Sequence, residues 1–321
     1  MSFREPLALV GLALLPLAIA AYVAAQHRRR RFAIRYTNVD LLARVAGASR
    51  LRHVPALLAL LAVAALLVSL GRPQRTVAAQ RKEATVVLVT DTSGSMLAKD
   101  VRPDRLTAAR AAAQTLAHQV PEDFRIGLIK FGSQAEQVVA PTTDRNELEV
   151  ALRALSVKGA TAMGDGLKLG LDAANAPVPD GLGGSRKLPT AIVLLSDGAN
   201  TTGVNDPIDV AQAAKKAGIK IYTIALGTPG GVLETKQKDG STKRENVPPD
   251  TLTLQEIARE TGGRYFNAPD ADQLQAIYSG LATRFATVRV KQEMTAAFAG
   301  GGLVLLIGGL AFSLIRGGRL P

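Results

Sequence analysis

Apolar positions follow two different rhythms along this chain. Three long uncharged runs, residues 6–25, 54–71 and 295–315, lie towards its two ends. About 20 residues at ~1.5 Å rise cross a hydrocarbon core of ~30 Å, so each run reads as a membrane-spanning helix. The second run is the shortest, and its flanking Arg52 and Arg72 are placed to snorkel. Between them the pattern changes to short apolar runs alternating with amphipathic stretches. The runs at 84–90, 125–131, 137–140, 190–196 and 219–226 read as strands, with a weaker sixth at 264–266. The stretches at 103–119, 144–155, 164–174, 207–217, 252–260 and 270–285 read as helices. Pro103 and Pro207 suit a first helical turn, and Gly218 and Gly262 suit helix ends. Val86-Val87-Leu88-Val89 and Ile192-Val193-Leu194-Leu195 are continuously apolar, as in strands buried on both faces. The expected fold is α/β: a doubly wound, mostly parallel sheet with three transmembrane helices. The expected organisation is residues 1–80 with two helices (6–25 and 54–71), a central domain over 81–290, and 291–321 with the last helix and a short basic tail.

Charge sorts these segments further. The chain of 321 residues carries a net charge of +12. Residues 1–80 hold +9 of it, residues 81–294 only +1 and residues 295–321 the remaining +2. A near-neutral central domain argues against nucleic acid as a partner. The 26–53 segment has eight arginines against Asp40, which by the positive-inside rule makes it a cytoplasmic, lipid-facing loop. Residues 72–294 are then extracytoplasmic, and the third helix returns Arg316 and Arg319 to the cytoplasmic side. Arg4 and Glu5 cancel before the first run, and Arg28–Arg31 follow it, the flank of a retained anchor rather than of a cleaved signal. The expected location is the plasma membrane, multi-pass.

In doubly wound folds ligands bind at the carboxyl ends of the strands. The first strand runs into Asp91-Thr92-Ser93-Gly94-Ser95, and the strand at 190–196 into Asp197-Gly198. Gly159-Ala160-Thr161 precedes a helix start. The candidate site is therefore Asp91, Ser93, Ser95, Thr161 and Asp197: two carboxylates and three hydroxyls, hard oxygen donors suited to Mg²⁺ or Mn²⁺. Two negative charges neutralise a dication and leave it able to take an anionic ligand. Taken singly, such residues are more often helix caps; it is their convergence that points to a metal. The helix after the first loop is expected to aim its N-terminus at the site. Lys99, Asp100, Arg102 and Arg105, just beyond, read as a solvated rim. Asp165 reads as a complement to its helix dipole. The polar stretch 230–250 reads as a hairpin turning at Asp239-Gly240. Ala297 and Gly301 form a small-xxx-small pattern for helix packing. With no cysteine in the chain, and with His27, His53 and His118 scattered, thiolate and imidazole catalysis are unsupported.

The Asp91-x-Ser93-x-Ser95 signature, Thr161 in the second loop and Asp197 after the later strand resemble a von Willebrand factor A domain with a metal-ion-dependent adhesion site. That resemblance implies that the serines and the threonine ligate the ion directly or nearly so, that the aspartates often act through water, and that a partner's Asp or Glu completes the shell. The whole layout, with Leu70-Gly71-Arg72-Pro73-Gln74 after the second helix and Asp100-Val101-Arg102-Pro103-Asp104-Arg105 after the metal loop, resembles bacterial membrane proteins of the Bat (aerotolerance) type. It implies a non-enzymatic scaffold that grips an acidic residue of a protein partner in the cell envelope, with the lipid membrane as its second partner. Association of the family with MoxR-type ATPases offers an alternative role as an accessory subunit, which needs the domain inside the cell. A metal-dependent hydrolase is the remaining alternative, and no phosphate-binding loop or second metal cluster in the sequence supports it.

Overall fold

The structure, a computed structural model, describes residues 2–33, 53–179, 184–236 and 242–317. Most of the basic 26–53 loop, the turn expected at Asp239-Gly240 and the tail with Arg319 lie outside the described residues. The chain divides into two units, Met1–Ala79 with Arg289–Pro321, and Gln80–Val288.

Apart from the short antiparallel pair Val178–Pro179 and Ser185–Arg186, the strands of the central unit are β1 Thr85–Asp91, β2 Arg125–Phe131, β3 Ala135–Thr142, β4 Thr190–Ser196, β5 Lys220–Leu226, β6 Val232–Lys236, β7 Thr242–Asn246 and β8 Tyr265–Ala268. The helices are α1 Arg105–Gln119, α2 Arg145–Ala154, α3 Met163–Asn175, α4 Pro207–Lys216, α5 Thr251–Thr261 and α6 Ala271–Ala286. Six strands form one sheet in the order β8-β5-β4-β1-β2-β3. All neighbours are parallel except β2 and β3, so the sheet is mixed and mostly parallel. β1 lies at its middle, every residue buried. Val86 and Leu88 pack into one core with α1, α2 and α6, while Val87 and Val89 pack into the other with α3, α4 and α5. The period-2 alternation of a strand thus explains its continuous apolar run: both faces are covered.

Asp side chains start the helices. Asp104, Asp144, Asp206, Asp250 and Asp270 each accept a backbone N–H of the first turn of α1, α2, α4, α5 and α6. Pro207 takes the first position of α4 as expected. Pro103 does not enter α1, because Asp104 is the cap and the helix starts at Arg105. β6 and β7 pair antiparallel as a hairpin.

In the other unit, two helices among the described residues are long and apolar enough to cross a membrane: Pro6–Arg28, with mean hydropathy 2.4, and Thr295–Ile315, with mean hydropathy 2.1. The expected third span is corrected to a shorter element. Val54–Leu70 is an apolar helix of 17 residues, begun by a proline and stopped at Gly71. At ~1.5 Å per residue it is about 25 Å long, short of the ~30 Å core. It packs against the helix Thr295–Gly317. The contact is made at Gly302, whose absent Cβ would lie 3.1 Å from the Ala62 carbonyl, and at Gly309, where it would lie 3.2 Å from Leu58 Cβ. Gly301, of the expected small-xxx-small pair, faces open space. Ser2–Phe3, Pro73–Gln80 and Thr287–Glu293 form a three-stranded sheet in that order.

Candidate functional site

Asp91 is the last residue of β1, and Asp197 follows β4, its immediate neighbour in the sheet. Parallel pairing therefore brings both carboxylates to one edge, and both are fully buried. Asp91 accepts from the Ser93 N–H (2.8 Å) through Oδ1 and from the Ser196 hydroxyl (2.6 Å) through Oδ2. Asp197 accepts from the Ser95 hydroxyl (2.7 Å) through Oδ1. Ser93 and Ser95 are joined Oγ to Oγ at 2.9 Å. Because Ser95 gives its proton to Asp197, Ser93 is the donor in that pair. Four of the five candidate residues thus form one connected set, with Ser196 as an unforeseen member.

Thr161 reaches the same edge by another route. Its loop docks on the first loop through Gly94 N–H to Gly159 O (3.0 Å) and Lys158 N–H to Thr92 O (2.8 Å). Gly159 has φ +66° and lies so close to Ser133 that any side chain would overlap it. The Thr161 N–H donates to Thr201 Oγ1 (3.0 Å), and its carbonyl accepts from the N–H groups of Thr201 and Thr202. Its hydroxyl takes no part in the bonds that join the other four. Asp165, read as a dipole complement, is bonded more specifically than that. It accepts from the Val204 and Asn205 N–H groups and the Asn205 side chain, tying this loop to α3.

The electrostatics are those of an anionic hole. Burial pushes the Asp91 carboxyl up to about 7, with the Asp197 charge adding to the effect. Burial likewise raises Asp197, while the hydrogen bonds from Ser95 and Arg105 oppose the rise. Among the described residues, no group of three His, Cys, Asp or Glu side chains offers a metal site. A cation here has to be held by two carboxylates and hydroxyls together.

Two expectations around the site are corrected. The helix dipole is not aimed from directly behind the loop: Ser93 is followed by a single 3-10 turn, Gly94–Leu97, and α1 begins only at Arg105 with its first turn capped by Asp104. Arg105 is also not on a solvated rim. It is completely buried and donates through Nη1 to Asp197 Oδ2 at 2.8 Å. Its Nε and Nη2 form a two-bond fork on Asp100 at 2.8 and 2.7 Å. Burial works against the Arg105 charge, and its bonds to Asp100 and Asp197 outweigh that, raising its pKa. Burial of Asp100 is outweighed in the same way by Arg105 and Thr228, and its carboxyl is held below the usual range. The one trace that Arg105 leaves in the sequence is its place in a first helical turn, the mildly unfavourable end of the dipole for a cation, and nothing local names its partner.

A central strand ending in Asp-x-Ser-x-Ser, a second loop with Thr161 and a neighbouring strand delivering Asp197 define a von Willebrand factor A-type domain. Residues 86–200 match the family model described as von Willebrand factor type A domain. The chain belongs to the UPF0353 family. It is 36% identical over 331 aligned residues to the UPF0353 protein of Mycolicibacterium paratuberculosis, covering 99% of this chain and 96% of that one. The relative from Mycobacterium tuberculosis is 36% identical over 312 residues, covering 94% and 91%. Among solved structures, BatB from Bacteroides thetaiotaomicron is similar with a TM-score of 0.52 and 25% identity, over 63% of this chain and 98% of that chain. An aerotolerance-related membrane protein from Bacteroides fragilis is similar in fold, with a TM-score of 0.52 and 24% identity, over 63% and 99%. The domain is thus of the Bat-like kind that its motifs resemble.

Proposed function

We propose that this protein is a membrane-anchored binding module that holds a divalent cation, Mg²⁺ or Mn²⁺, at Asp91, Ser93, Ser95, Thr161 and Asp197, and uses it to grip an acidic side chain of a protein partner. The observation that carries this reading is the pair of buried carboxylates joined through Ser93 and Ser95 at one sheet edge, with the Ser196 hydroxyl also held by Asp91. Every candidate donor is a hard oxygen, which fits these ions and not soft ones. Like charges buried together are unfavourable until a cation joins them. When bound, the ion supplies a Lewis-acidic anchor for a carboxylate from outside, and the buried aspartates supply the charge that retains it. The reading is binding rather than catalysis: among the described residues the site offers carboxylates, hydroxyls and an arginine bonded through all three nitrogens, without an imidazole base.

We read the anchor as multi-pass. Val54–Leu70 packs along Thr295–Gly317, so the shorter helix accompanies the longer one, and the arginines of 26–53 place that loop on the cytoplasmic side. On this reading Val54–Leu70 also crosses, its few missing ångströms met by local thinning of the bilayer, so the domain faces out of the cytoplasm and acts as a scaffold in the envelope.

The test is recovery of partners from detergent-solubilised membranes with the full-length protein as bait. Chelator removes the partner, Mg²⁺ restores it, and a synthetic acidic peptide competes. Undiminished recovery in chelator, with metal loss verified by elemental analysis, overturns the reading.

A further inference from the structure

We propose that Arg105 is a positioning residue that fastens Asp197 to the foot of the β6–β7 hairpin, so that cation occupancy is transmitted to that hairpin. The inference rests on the cation-binding reading above and adds a residue and a second surface to it.

An unbroken path of bonds joins the two places. Arg105 Nη1 holds Asp197 Oδ2, leaving Oδ1, the oxygen on Ser95, towards the hydroxyls. The Arg105 fork holds Asp100, and Nη2 also donates to the Val247 carbonyl (3.1 Å), directly after β7. Asp100 Oδ2 in turn accepts from the Thr228 N–H (2.8 Å) and hydroxyl (3.1 Å). The Gly231 N–H donates to Thr228 O (3.0 Å), and the Val247 N–H to Gly231 O (2.9 Å), which closes the ring. The backbone is shaped around the guanidinium. Gly227 has φ +113°, and a side chain at Gly227 or Gly231 would overlap Arg105.

Stability alone does not explain such a clasp, because buried ion pairs are often neutral or unfavourable relative to apolar packing. Positioning does. A planar fork fixes two carboxylates at once in a way that a flexible ammonium cannot. The charges also fit: Asp100 offsets Arg105, leaving the two negative charges of Asp91 and Asp197 for the dication. All five residues of β7 are exposed.

The experiment uses the full-length protein in nanodiscs with Mg²⁺ as the probe. Calorimetry reads Mg²⁺ binding, and hydrogen exchange reads the Thr228, Gly231 and Val247 amides. In the wild type, Mg²⁺ slows these three by about tenfold or more, because it holds the far end of the path. Arg105→Lys keeps the positive charge but not the fork; read at saturating Mg²⁺, whatever affinity it retains, it loses the slowing. Asp100→Asn leaves the Arg105 charge unbalanced and lowers Mg²⁺ affinity about tenfold. If Arg105→Lys does not fold, Asp100→Asn must show both its weaker affinity and the lost slowing. Wild-type protein that binds Mg²⁺ with no change at the three amides overturns the coupling, as does slowing that survives Arg105→Lys. Absence of Mg²⁺ binding in calorimetry overturns the cation site, and this inference with it.

Discussion

Asp91 and Asp197 sit at adjacent strand ends with no exposure to solvent, and each makes the other's charge harder to bear. Asn at position 91 preserves the shape and an acceptor for the Ser93 N–H while removing one charge. Asp91→Asn therefore stabilises the chelated protein at pH 8, by roughly 1–3 kcal/mol, and abolishes the rise in melting temperature that Mg²⁺ gives the wild type. Thermal melts of both proteins, with chelator and with Mg²⁺, check this; a lower melting temperature for the variant in chelator contradicts it. The candidate donors are legible in the sequence because Asp-x-Ser-x-Ser needs only a strand before it to be placed. Arg105 was not legible as a site residue. Charged residues after a loop usually belong to solvent, and its partner Asp197 is remote in sequence. Asn200-Thr201-Thr202 hides its role in the same way, since its bonds to Gly164 and Thr161 belong to the fold and not to the local pattern.

Elements were predictable to the degree that they carry their own signals. Asp144, Asp206 and Asp270 head helices close to the expected starts because a carboxylate at the cap satisfies first-turn N–H groups whatever lies around it. β3 runs longer than expected, Ala135–Thr142 against 137–140, because pairing with β2 carries it on through Ala135, Glu136 and Thr142. Glycines in the helix Thr295–Gly317 are the opposite case. Several are present, and only contact with Val54–Leu70 selects Gly302 and Gly309. Gly302→Leu forces the two helices apart and costs about 1–3 kcal/mol, while Gly301→Leu stays within ~0.5 kcal/mol of wild type. Denaturation of the detergent-solubilised protein separates the two. Equal effects at both positions contradict the packing.

At the scale of the whole chain, the proposed orientation makes the net charge of +12 less a sign of what is bound than an address, since the 26–53 segment carries +7 of it. On the orientation proposed, alkaline phosphatase fused after Gly230 is active in a bacterial host and the same enzyme fused after Asp40 is inactive. The reverse pattern puts the domain in the cytoplasm, beside a MoxR-type ATPase. The division into anchor and domain was legible because hydropathy separates them without reference to contacts. The short sheet that gathers the ends was not, because Pro73–Gln80 and Thr287–Glu293 are polar and far apart in sequence.

That sheet has a mechanical consequence. Pro73–Gln80 leads into the domain, Thr287–Glu293 leads out of it, and the two are neighbours. A pull exerted on the domain by anything it grips is shared between two strands lying side by side. The fold between them is not stretched from end to end. If the domain grips a partner as proposed, tension runs from that surface to this one ribbon, and the central sheet does not have to serve as a link in a chain.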